Sequence, residues 1–132
     1  MLNMVQEAIY FNNKLIILPL DGGAWSWSEA SGWAEISDSD ICPSMGNCEI
    51  EILNGKLWIL SATATLTDLT ASMHYSTDGT SWTEINGNLP YDGVSGYYTA
   101  VLNGRLYVIG GTIGNNYNPD VWAYIPYSEY TP

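Results

Sequence analysis

The chain has 132 residues, 46% of them apolar and 13% aromatic, enough to bury one core in a single domain spanning 1–132. Three basic residues stand against 14 acidic ones, a formal net charge of -11, so the surface repels phosphate and excludes nucleic-acid and anionic-membrane partners. The best apolar run, Leu15 to Leu20, is too short to span a bilayer and contains Pro19.

Residues Met1 to Phe11 carry no positive segment and no small-residue cleavage site, so no secretory signal is expected. Met4 to Phe11 reads as a strand, and Asn12-Asn13 turns it into a second strand from Lys14 to Leu20. Asp21-Gly22-Gly23 is a turn before a third strand, Ala24 to Ser28, and Glu29-Ala30-Ser31-Gly32 precedes a short fourth, Trp33 to Ile36. Four strands joined in this way predict an antiparallel meander over about 4–36.

A polar connection, Ser37 to Asn47, leads to Cys48–Leu53, whose acidic and apolar residues alternate as in a half-buried strand. Asn54-Gly55 turns it into Lys56 to Ala62. A Thr- and Ala-rich stretch, Thr63 to Ser72, reads as a loop, followed by a strand at Met73–Ser76, a turn at Thr77–Thr80 and a strand at Ser81–Ile85. This second unit covers about 48–85. Asn86 to Gly96 connects to a third, about 96–131: a hairpin from Tyr97 to Ile109, an Asn-rich loop at 110–119, and a strand from Asp120 to Ile125.

The three hairpins are copies of one motif. Phe11-Asn12-Asn13-Lys14, Leu53-Asn54-Gly55-Lys56 and Leu102-Asn103-Gly104-Arg105 each put residues that tolerate positive φ between two apolar runs. Lys14, Lys56 and Arg105 are the only basic residues of the chain, so every positive charge belongs to the repeat. Leu53 and Leu102 lie 49 positions apart, as do Trp33 and Trp82. A period of this size with four strands per unit is that of a β-propeller blade, and the fold class is all-β. Eight residues separate Trp25 from Trp33 and His74 from Trp82, and eight beyond Trp122 falls at Tyr130. The third blade is therefore incomplete, its outer strand a stub at Ser128–Tyr130.

Leu102 to Gly111 followed by Asp120-Val121-Trp122 resembles a kelch repeat, and the likeness extends over nearly the whole chain. The second copy departs from it, with Ser61-Ala62 in place of the glycine pair and His74 in place of the tryptophan. Ser76-Thr77-Asp78-Gly79-Thr80-Ser81-Trp82 also resembles the Asp-box turn of sialidase-like propellers. The resemblance implies a propeller fold and says little about activity.

Closed propellers have about four to eight blades. Three blades leave two apolar faces in water, and each buried Trp contributes about 4–6 kcal/mol, large beside a typical net stability of roughly 5–15 kcal/mol. A homo-oligomer is expected, most simply a dimer forming a six-bladed ring. The alternatives are a partner chain that covers the faces, or a piece of a larger propeller.

Sialidase chemistry needs an arginine cluster, and the chain has Arg105 alone; a kelch-type copper oxidase needs several histidines, and His74 is alone. Zinc is excluded by the same count, and no cofactor or metal is expected. Asp38-Ser39-Asp40 and Asn115–Asn118 supply oxygen atoms but match no calcium-loop spacing. Glu49 and Glu51 share one strand face, with Glu7 at the position equivalent to Glu49, so glycan hydrolysis by paired carboxylates is the alternative function. His74, Trp25, Trp33, Trp58, Trp82 and Trp122 are read as structural core.

The remaining reading is a non-catalytic binding or assembly module. Loops at 37–47, 63–72, 86–96 and 110–119 are rich in Thr, Asn, Ser, Gly and Tyr, a composition suited to a glycan or protein ligand. Tyr91, Tyr97, Tyr117, Asn115, Asn116 and Trp27 are the ligand-binding candidates, and no catalytic residue is assigned. The acidic, lysine-poor surface would suit a phage or other virion component or an extracellular-facing surface. Cys42 and Cys48 bracket five residues, a spacing open to a small disulfide loop or to two reduced thiols.

Overall fold

The computed structural model describes residues 4–37, 41–42, 47–64, 69–85, 89, 91 and 94–125. Within them the chain forms strands and no helix, in four antiparallel sheets. Blade 1 is β1 (Val5–Phe11), β2 (Lys14–Pro19), β3 (Ala24–Ser28) and β4 (Gly32–Ser37), paired in that order. Blade 2 is β5 (Asn47–Leu53), β6 (Lys56–Ala64), β7 (Leu69–Ser76) and β8 (Thr83–Glu84). A small sheet combines β9 (Val94–Ser95), β12 (Thr112–Ile113) and β13 (Asn116–Tyr117). Blade 3 is β10 (Tyr98–Leu102), β11 (Arg105–Ile109) and β14 (Val121–Tyr124).

The repeated hairpins form as their turn chemistry dictates. Asn12 and Asn13, Asn54 and Gly55, and Asn103 and Gly104 all have positive φ between 51° and 73°. Two consecutive left-handed residues give the turn whose twist matches the flanking strands.

Two core clusters glue the blades. Ile16 and Leu18 of β2 meet Leu57 and Ile59 of β6 between blades 1 and 2, joined by Phe11, Cys48 and Ile50. Trp58 and Leu60 of β6 meet Leu106 and Val108 of β11 between blades 2 and 3. Alternate residues of β6 thus face opposite neighbours, which is why it reads as an unbroken apolar run. The first strands β1, β5 and β10 lie beside one another, at the inner edge of the arc.

Several details differ from the sequence reading. Within the stretch read as a loop, residues 63–64 and 69–72 are strand: β6 and β7 stay paired out to Ala64 and Leu69, because threonine and alanine are compatible with a ladder that runs past the core. The loop at 110–119 holds β12 and β13, and β12 also pairs with β9 from the blade 2–3 connection. Trp33 is 54% exposed, and Trp122 is exposed as well, so neither is core. Trp33 stands on the face of blade 1 that has no neighbouring blade among the described residues, and Trp122 lies on the outermost described strand of blade 3. The stub at Ser128–Tyr130 lies outside the described residues, as does Asp38-Ser39-Asp40. Among the described residues no helix is long and apolar enough to cross a membrane.

Candidate functional site

The loop candidates divide sharply. Tyr91 and Tyr97 are each 1% exposed, in the cluster between blades 2 and 3, with their rings 5.3 Å apart. The Tyr91 hydroxyl donates to the Ser72 carbonyl at 2.8 Å. They share that cluster with Val94 of β9, so they form core rather than an exposed binding surface. In sequence they sit in a Gly- and Pro-rich connection, and local composition does not reveal what a connection folds over.

Tyr117 is 93% exposed, with Asn115 and Asn116 exposed beside it on the β12–β13 hairpin. The neck of that hairpin is pinned. The Asn118 amide donates to the Gly110 carbonyl at 3.0 Å and its main-chain N–H to the Gly111 carbonyl at 2.9 Å. Gly111 has φ +92°, and a Cβ there would stand 2.6 Å from the Ser95 carbonyl oxygen, so only glycine lets β9 and β12 approach. Asn118 is thereby occupied in holding the loop. Among the described residues no group of three or more His, Cys, Asp or Glu side chains is arranged to hold a metal ion. Trp27 belongs to blade 1, away from this hairpin in the topology, so the structure does not unite the six candidates in one site.

A second constellation lies at the inner edge. Glu49 on β5 hydrogen-bonds Glu7 on β1, and burial pushes the Glu49 carboxyl up to about 8, with the Glu7 hydrogen bond and the charges of Glu7 and Glu51 acting in the same direction. At neutral pH the Glu49 carboxyl therefore keeps its proton. Thr99 of β10 donates its hydroxyl to Glu51 Oε1 at 2.9 Å. Glu7, Glu49, Cys48, Tyr97 and Tyr98 line an open depression of about 300 Å³. Tyr98 occupies in blade 3 the repeat position of Glu7 and Glu49. Counting the three hairpins from their turns finds this set from sequence. The Thr99 bond has no such signal, since it depends on how blades 2 and 3 pack.

The disulfide lies next to this region. Cys42 and Cys48 are joined, with a Cα separation of 6.0 Å. Gln6 ties the bridge to blade 1: its amide nitrogen donates to the Pro19 carbonyl at 3.3 Å and to Cys42 Sγ at 3.4 Å, and its amide oxygen accepts from the Cys48 N–H at 3.2 Å. The Cys42 carbonyl accepts from the Gly23 N–H at 2.8 Å, so the blade 1–2 connection meets the β2–β3 loop. In blade 3 the β11–β14 loop instead meets the connection that precedes the blade, through the β9–β12 pairing.

The Asp-box-like turn is a closed hydrogen-bond knot. Asp78 Oδ1 accepts from the N–H groups of Thr80 and Ser81 at 2.8 and 2.9 Å and from the Ser76 hydroxyl at 3.0 Å. These donors, Ser81 first, hold its carboxyl well below the usual carboxylate range. All partners of the carboxylate are local, which marks the turn as a structural one. His74, in the position of the repeat tryptophan, is buried on β7 opposite Ile59 and Glu84.

Compared with known families, residues 95–129 match the model of the Kelch motif. The matched segment is the third repeat, including β12, β13 and β14, and it is consistent with kelch-like repeats in an all-β arrangement of two four-stranded and two three-stranded antiparallel sheets among the described residues. No curated protein matches the chain. The match suggests a protein-binding module of the β-propeller type.

Proposed function

We propose that the chain is a non-catalytic recognition module whose ligand contact is the β12–β13 hairpin, with Tyr117 as anchor and Asn115 and Asn116 as hydrogen-bonding flanks. The observation that carries this reading is a 93% exposed tyrosine on a hairpin whose neck is locked by Asn118 and Gly111. A fixed aromatic ring loses little entropy on binding, and asparagine amides supply both donors and acceptors. Such a tip suits either a protein surface or a glycan. The acidic, lysine-poor composition suits a virion or extracellular-facing surface, and that placement rests on composition alone. The test is the labelled chain on a glycan array and, with a photo-crosslinker replacing Tyr117, in extracts of its source. Loss of binding on Tyr117→Ala with the fold retained is expected; binding indifferent to Tyr117, Asn115 and Asn116 overturns the reading.

One observation favours a second reading, glycan hydrolysis. Glu49 keeps its proton beside an open depression that Glu7 also lines, and a protonated carboxyl near a second carboxyl group is the equipment of acid–base glycoside cleavage. A panel of chromogenic glycosides decides it. Turnover abolished by both Glu49→Gln and Glu7→Gln supports hydrolysis, and no turnover on any glycoside removes it.

A further inference from the structure

The two ends of the arc are the separated halves of a seam that the chain already builds twice. Aligning the hairpins on Lys14, Lys56 and Arg105 makes Ile16, Trp58 and Tyr107 equivalent, and likewise Leu18, Leu60 and Ile109. In blades 1 and 2 these residues are buried against the following blade. In blade 3, Ile109 is 37% exposed and Tyr107 half-buried, with no blade beyond them among the described residues. The opposite faces behave in the same way. Leu57 and Leu106 are fully buried against the preceding blade, whereas their counterpart Leu15 is 36% exposed.

Register shows that both open faces are continuous. On blade 3, Tyr98, Ile109 and Val121 form one cross-strand row and Ala100, Tyr107 and Ala123 the next, with Leu102 beside Arg105 at the hairpin end. On blade 1, Tyr10, Leu15, Trp27 and Trp33 form a row across all four strands, and each is exposed.

The internal seam shows how such faces fit. Phe11, on the blade 1 hairpin, lies against the β7–β8 turn of blade 2, where a Cβ on Gly79 would stand 3.6 Å from its ring. Asn12 beside it donates to the Asp78 carbonyl of the same turn at 3.0 Å. The equivalents on blade 3 are Leu102, 61% exposed, and Asn103. The equivalent turn on blade 1 is β3–β4, and there a depression of about 440 Å³ opens between Tyr10, Leu15, Trp27, Glu29 and Ala30. Arg105 beside Leu102 and Glu29 beside the depression carry opposite charges.

We infer that a second copy of this chain covers both ends: Leu102 of each copy seats in the Trp27–Ala30 depression of the other, blade 3 packs on blade 1, and two chains close a six-bladed ring. The seam is head-to-tail, and the two-fold axis makes it twice. It is distinct from the Tyr117 hairpin, so either proposal stands without the other.

The seam's polarity makes the test specific. Light scattering at micromolar concentration is expected to give twice the 14.5 kDa chain mass. Leu102→Glu and Ala30→Glu, at exposed hairpin and turn positions, are each expected to give a folded monomer by circular dichroism. An equimolar mixture of the two variants recovers a dimer, because one seam then joins two unaltered faces. A wild-type monomer overturns the inference, as does a wild-type assembly larger than two chains. A dimer broken by only one of the variants also overturns it, since that marks a face pairing with itself. Should either variant fail to fold, Tyr98→Glu and Trp33→Glu test the same two faces.

Discussion

The Asn12 amide of blade 1 donates to the main-chain carbonyl of Asp78 in blade 2, 3.0 Å away, and so joins the repeated hairpin to the Asp-box-like turn across a blade seam. Asp78 shapes that carbonyl by accepting from Ser76, Thr80 and Ser81. Its carboxyl is held below the ordinary value of 3.8, so this stabilisation is complete above that pH and is lost as pH falls further. Asp78→Asn is expected to lower the melting temperature at pH 7 and to leave a flatter stability profile below about pH 4. Thermal melts of both proteins across the acid range check this.

Glu49 acts in the opposite sense. Its carboxyl titrates at about 8 in the folded chain against 4.5 unfolded, so between those values the folded state holds the extra proton. Stability is greatest below the lower value, declines as pH rises, and levels off above the upper one. Glu49→Gln keeps the hydrogen-bonding shape without the charge. It is expected to remove most of that decline and to be the more stable form at pH 9, as urea unfolding at pH 5, 7 and 9 would show.

Gly111 and Gly55 separate conformational strain from steric conflict. Both have positive φ, but a Cβ at Gly55 meets nothing within 4 Å, whereas one at Gly111 meets Ser95 and Val94 at 2.6 Å. Gly55→Ala is expected to cost about 1–2 kcal/mol from left-handed strain alone. Gly111→Ala adds a displaced backbone and is expected to cost roughly 1–3 kcal/mol more. Chemical denaturation of the two variants gives the difference, and hydrogen exchange at Ser95 and Thr112 locates it.

The Cys42–Cys48 bridge closes a short loop beside Gln6. For a loop of this size the entropy of the unfolded chain sets its contribution at about 2 kcal/mol. Reduction, or Cys42→Ser with Cys48→Ser, is expected to lower the denaturation midpoint accordingly. Gln6→Ala in the oxidised protein should lower it by less, because the bridge survives the loss of that side chain.

Much of this molecule is local and was legible in the sequence. Asn-Asn and Asn-Gly prescribe two left-handed residues, which fixes each hairpin, and the alternation through Glu49-Ile50-Glu51 fixes β5 and its two faces. The spacing of the copies then sets blade order and the equivalence of Glu7 with Glu49. The extension of the β6–β7 ladder to Ala64 and Leu69 was not legible, because threonine serves in a strand or a loop alike. Nor was the burial of Tyr91 and Tyr97, which follows from β9 closing over the gap between two blades.

The sequence by itself determined the turns, the strand periodicity and the three-fold repeat, because turn dihedrals and the period of two act over a few neighbouring residues. Only the tertiary structure decided which side of each strand is covered. Leu57 and Leu15 hold the same repeat position, yet one is buried and the other faces solvent because blade 1 has no described blade before it. The raised carboxyl of Glu49, the Cys42–Cys48 bridge and the two open end faces have the same origin: each depends on what lies across a gap between blades, a distance no local pattern encodes.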